Sequence, residues 1–91
     1  MQNDDVIKAD AQRHELLKAF ATAGAQRRAV FDVVDRAADH QAAVAALVEL
    51  LGVTPTLASS VLDMQLFRFT QAQQQSILDE LGNLDARVIE P

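Results

Sequence analysis

The chain has 91 residues, 49% of them hydrophobic, a formal charge of −5 and no cysteine. That length allows one domain, excludes disulfide stapling, and leaves a thin monomeric core, because a chain of this size buries only about 60–65% of the surface its unfolded form exposes. The acidic balance excludes autonomous binding to phosphate backbones, which needs clustered Lys and Arg.

Only two prolines and three glycines punctuate the sequence. No stretch alternates apolar and polar residues as a half-buried strand does. The expectation is an all-α protein of four to five short helices in a compact globule, a single domain over 1–91, with 1–12 either frayed or the start of the first helix. "MQNDDVIKADAQ" is acidic and polar and is not expected to act as a secretory signal. The longest apolar run, "VAALVELLGV", is interrupted by Glu49 and falls short of a bilayer span. Lack of cysteine fits a reducing compartment, so a cytoplasmic location is expected.

The first helix starts near Asp4 and buries Leu16, Leu17, Phe20 and Ala23, turning Arg13, Glu15 and Lys18 outward. Gly24 makes a kink one outcome and an unbroken helix the other. Val30, Val34 and Ala37, with Phe31 and Val33 alongside, continue the helical spacing over Arg27 to Ala38. Asp39 is a good N-cap for "HQAAVAALVELL", whose buried face is Ala43, Leu47, Leu50 and Leu51. Gly52 suits a left-handed C′ position, and Thr54–Pro55 reads as N-cap and N1 of a helix running to about Phe67. Thr70 and Gln73 form a capping box, making Phe69–Thr70 a two-residue hinge before the last helix. Ile77, Leu78, Leu81, Leu84 and Val88 are its inward stripe, with Asp79, Glu80, Asp85 and Arg87 outward.

Within "SSVLDMQLFRFTQAQQQSILDEL" the apolar residues are too many for one stripe. Placed on one helix at about 100° per residue, Leu57, Ala58, Val61, Leu62, Met64 and Leu66 span an arc of about 200°, twice what a surface helix needs. Phe67 and Phe69 add aromatic area at a corner. The excess is met either by a central helix covered by its own chain or by a contact with a second molecule. Asp63 among apolar flanks calls for a partner, and Arg68 is the candidate, in the same chain or across a two-fold axis.

Val61-Leu62-Asp63-Met64-Gln65-Leu66, followed by Arg68-Phe69-Thr70, resembles the [AI]-I-L-D-M-[RQ]-L-x-R-L-T pattern at the C-terminal gate of the DNA gyrase A and topoisomerase IV A subunits. Upstream, "LVELLGVTPTLASS" is similar to the family's L-M-x-x-F-x-L-S-x-x-Q-A-x-A, with Thr54 in place of the capping serine and Ala58 near the small residue that precedes the motif. "RHELLKAF" and "AVFDVVDRA" look like its H-x-L-x-G-L and V-I-x-x-I-R stretches. The similarity covers roughly Arg13 to Val88. It implies a helical globule that pairs two-fold with itself, terminates a coiled coil and holds the lower gate of a DNA-passing enzyme closed. The interface it implies is Val61, Leu62, Met64, Gln65, Leu66, Phe67, Arg68, Phe69 and Thr70. The departures are large. The family cleaves DNA with a tyrosine from a separate domain, and this chain has no tyrosine. "QAQQQ" replaces the family's residues after R-L-T.

No catalytic constellation is present, so no enzyme activity, cofactor or metal is expected. His14 and His40 lack the spaced partners of a zinc site and read as solvent-facing or capping. Ser59 and Ser60 have no positioned base, and Arg27–Arg28 reads as a solvated basic turn. The leading expectation is a non-catalytic homodimerisation module, with a gyrase A subunit as a further partner and no membrane or direct nucleic-acid contact. The alternatives are a chorismate-mutase-type helical enzyme, which needs converging Arg and Lys, and a plain interaction protein unrelated to DNA topology.

Overall fold

The computed structural model describes residues 2–89, with side-chain environments for residues 8–86. It is all-α, as expected: α1 (Gln2–Ala25), α2 (Arg27–Arg36), α3 (His40–Leu51), α4 (Pro55–Leu62), a 3-10 turn (Leu66–Phe69) and α5 (Gln71–Ile89). The described residues contain no strand. The molecule measures 46 × 28 × 18 Å, its length set by the two long helices α1 and α5.

Four helix ends fall where residue chemistry marks them. Asp39 accepts the Ala42 N–H at 2.8 Å, capping a donor that α3 itself cannot satisfy. Gly52 closes α3 at φ 66°, the left-handed region, and its N–H reaches the Val48 carbonyl at 3.0 Å. Thr54 accepts the Leu57 N–H at 3.3 Å, with Pro55 at the first position of α4. Thr70 likewise accepts the Gln73 N–H at 3.4 Å.

Two apolar clusters hold the helices. Ala19, Ala23, Val30, Leu47, Ala58, Val61 and Phe69 form the larger, where α1 to α4 and the 3-10 turn meet. Leu17, Ile77 and Leu84 form the smaller, between α1 and α5, and Phe20 packs against both. The small side chains of Ala19, Ala23 and Ala58 let backbones approach closely, since interhelical distance follows side-chain size. Leu47 is completely inaccessible and is the largest such side chain among the described residues.

α5 runs antiparallel to α1. His14 meets Asp85 at 2.6 Å, while ten residues further along α1 Gly24 faces Gln74. Arg13 pairs with Glu80 beside the first contact. That hydrogen bond, with the carboxylate charge, raises the Arg13 pKa above its ordinary value. His14 therefore links two helices, rather than facing solvent or capping as its isolation in the sequence suggests.

Several sequence expectations are corrected. The break after α1 falls at Gln26 (φ −114°, ψ 30°) and not at Gly24, which stays helical. Gly24 serves packing instead: a Cβ there would collide with the Gln74 amide. α4 ends at Leu62 and does not reach Phe67. The chain turns through Asp63, Met64 and Gln65 before the 3-10 turn, so eight residues, not a two-residue hinge, separate α4 from α5. Met64 and Leu66 thus lie off the α4 helix, and the 200° arc does not exist as one surface. A carboxylate at Asp63 meets the negative end of the α4 dipole, and stopping there lets Phe69 turn into the core beside Phe31 (ring centroids 5.1 Å, edge-on). Leu78, expected inward, is half exposed. Arg87 and Val88 lie outside the residues whose side chains are described.

Among the described residues no single helix is long and apolar enough to cross a membrane; α3 and α4, apolar together, are bent by 111°.

Candidate interface at the 3-10 turn

Two backbone carbonyls of the 3-10 turn are gripped by long side chains from outside it. Arg27, at the start of α2, donates from Nη1 to the Phe69 carbonyl at 2.6 Å and from Nε to the Gly24 carbonyl at 3.0 Å. Gln74 donates from Nε2 to the Arg68 carbonyl at 2.9 Å. The α1–α2 junction is thereby tied to the turn, 42 residues away in sequence. Arg27 is not the solvated basic residue its neighbour Arg28 is. Replacing Arg27 with glutamine is expected to cost about 1.5–3 kcal/mol, the value of hydrogen bonds from a charged donor. Amide exchange at Arg68 and Thr70, whose N–H groups close the turn onto the Gln65 and Phe67 carbonyls, should accelerate more than exchange within α3.

Held this way, the turn displays Leu66, 73% exposed, and Phe67, 50% exposed, while burying Phe69 to 8%. The nine residues expected at an interface therefore divide. Val61 and Phe69 belong to the core; Leu62 and Met64 are half-buried; Gln65, Leu66, Phe67, Arg68 and Thr70 are exposed. Five of the nine (Val61, Leu62, Met64, Leu66 and Phe69) line one groove of about 300 Å³. Its other wall comes from α2 and α3: Val30, Phe31, Val34, Asp35 and Leu47. Phe31 is 44% exposed, and sequence reasoning did not place α2 at the interface. The signal was there: Phe31 sits one residue off the Val30–Val34–Ala37 stripe and so flanks the α2 buried face, partly open to solvent.

The expected Asp63–Arg68 pair does not form within the chain. Asp63 Oδ1 lies 4.0 Å from His40 Nε2, and both side chains are well exposed. The Arg68 guanidinium sits over the Phe67 ring, 5.9 Å from its centroid. Ser60 donates to the Thr56 carbonyl at 3.1 Å, as a helical serine does without any further role.

Leu66, Phe31 and Phe67 thus leave apolar surface exposed around the groove. No protein-family model matches the chain, and no curated protein matches it.

Proposed function

We propose that this protein is a non-catalytic homodimerisation module built like the C-terminal gate of the gyrase A subunit, with the 3-10 turn and the adjoining face of α2 as its two-fold contact. The observation that carries this reading is the outward display of Leu66 and Phe67 beside an apolar groove. The resemblance through Val61–Thr70 supports it independently. So does the antiparallel pairing of α1 and α5, which suits a globule at the tip of a helical arm. A homodimer also compensates for the thin core of a small chain.

The basic residues support a non-enzymatic reading over a dianion-binding one. Arg13 is engaged by Glu80, Arg27 by two carbonyls and Arg36 by Asp32 at 3.4 Å. These engagements are dispersed and do not converge on a common site. Pairing with a gyrase A subunit, and modulation of that enzyme, is the partner reading that the shared motif favours. Co-purification with gyrase A and an effect on supercoiling would support it; absence of both would remove it. A cytoplasmic location belongs to the same proposal and rests on the cysteine-free composition.

Size-exclusion chromatography with light scattering tests the dimer. The expected mass is twice 9.9 kDa at micromolar concentration. A concentration-independent monomer would overturn the reading.

A further inference from the structure

The same face carries both a projecting ring and a hollow, and each has an uncompensated charge beside it. Phe67 projects next to the groove that Leu66 helps to line. The groove, at about 300 Å³, is larger than the roughly 150 Å³ apolar cavity that accommodates benzene in other proteins. Its wall offers the half-exposed ring of Phe31, already edge-on to Phe69, and a third aromatic ring adds favourable offset or edge contacts. Asp35 stands at the lip of the groove. Arg68 stands beside the projecting ring. Neither has an ion-pair partner among the described residues, whose ion pairs include Arg13–Glu80, His14–Glu15, His14–Asp85, Arg36–Asp32 and His40–Asp63.

From this complementarity we infer that the occupant of the groove is Phe67 of a second copy of this chain, inserted so that Arg68 of that copy meets Asp35 at the lip. The inference rests on the homodimer reading and specifies its register. A two-fold axis makes the exchange mutual, giving two buried rings and two Arg68–Asp35 pairs in each dimer. Insertion of the ring drives association; the charge pairs at the rim fix orientation and reject other registers, as rim charges do. An isolated partner peptide would satisfy one groove and leave the other ring exposed, so a second copy covers more of this face than a single helix can.

The pairing is tested by charge exchange. Asp35→Arg and Arg68→Asp are exposed-site variants, and each alone places two like-charge contacts in the dimer. Each is expected to weaken self-association at least about tenfold. An equimolar mixture of the two variants restores both attractive pairs, and heterodimers should form with affinity within about threefold of the native dimer, read by light scattering and by native mass spectrometry. Because the chain has no cysteine, a second measurement is direct. Asp35→Cys mixed with Arg68→Cys should give a covalent heterodimer with a short bis-maleimide, whereas Asp35→Cys mixed with an Asp85→Cys variant should not. A dimeric native protein with no recovery on mixing and no selective cross-link would overturn this register and leave the homodimer intact. A monomeric native protein would overturn both.

Discussion

Leu66→Asp is expected to yield a folded monomer. In the single chain Leu66 is the most exposed large apolar residue among the described residues, so replacement there changes stability by no more than about 0.5 kcal/mol. In the proposed dimer the same position sits on the rim of the occupied groove, and a two-fold contact takes the carboxylate out of water twice. Leaving a buried charge without a partner costs several kcal/mol, so the dimer dissociation constant should rise at least about a hundredfold. Phe67→Asp should act in the same direction by removing the inserted ring as well. Sedimentation across a range of concentrations measures the shift, and far-UV circular dichroism at monomer concentrations confirms the fold. A variant that dimerises like the native protein would place the contact elsewhere.

The largest loss of stability is expected from Leu47→Ala. Leu47 is fully enclosed between α2, α4 and the 3-10 turn. Truncating it removes transfer energy and leaves a cavity, about 2–5 kcal/mol together for a leucine so placed. In a domain whose total stability is about 5–15 kcal/mol, that is a large fraction. The melting temperature should fall by roughly 8–40 °C, taking about 4–8 °C per kcal/mol for a chain of this size. The comparison is best made against Leu66→Ala at one protein concentration, because association raises the apparent stability of any dimer. A loss under about 1 kcal/mol would show that Leu47 is not the keystone its enclosure implies.

These two leucines also show what the amino-acid order made legible. Helix ends with a chemical marker were readable: Asp39, Gly52, Thr54–Pro55 and Thr70 each satisfy or accommodate a backbone group locally, within four residues. The end of α4 has no such marker. Leu62, Asp63 and Met64 all tolerate a helix, and the chain leaves it because Phe69 gains a core position by doing so, a benefit settled by α2 and invisible in the local pattern. The grip of Arg27 and Gln74 on the 3-10 turn was hidden for the same reason, since arginine bonds to a carbonyl 42 residues away. The apolar excess in Val61–Phe69 was legible as an excess. Its division between core and surface was not, because a 3-10 turn distributes side chains at about 120° intervals rather than the 100° of an α-helix. Phe67 thereby faces outward while Phe69, two residues on, faces in.

The antiparallel course of α1 and α5 has a geometric consequence. Residues 14 and 85 lie side by side midway along α1, while Arg27 and Phe69 are joined just beyond its C-terminal end. The helical advance of ten residues from His14 to Gly24 separates these two places by about 15 Å. A fluorophore or fusion attached near residue 14 or 85 would stand clear of the groove, and in a two-fold pair both attachments would emerge from corresponding places. The scaffold could therefore serve as a small coupling piece that brings two passengers into symmetric register without obstructing its own contact.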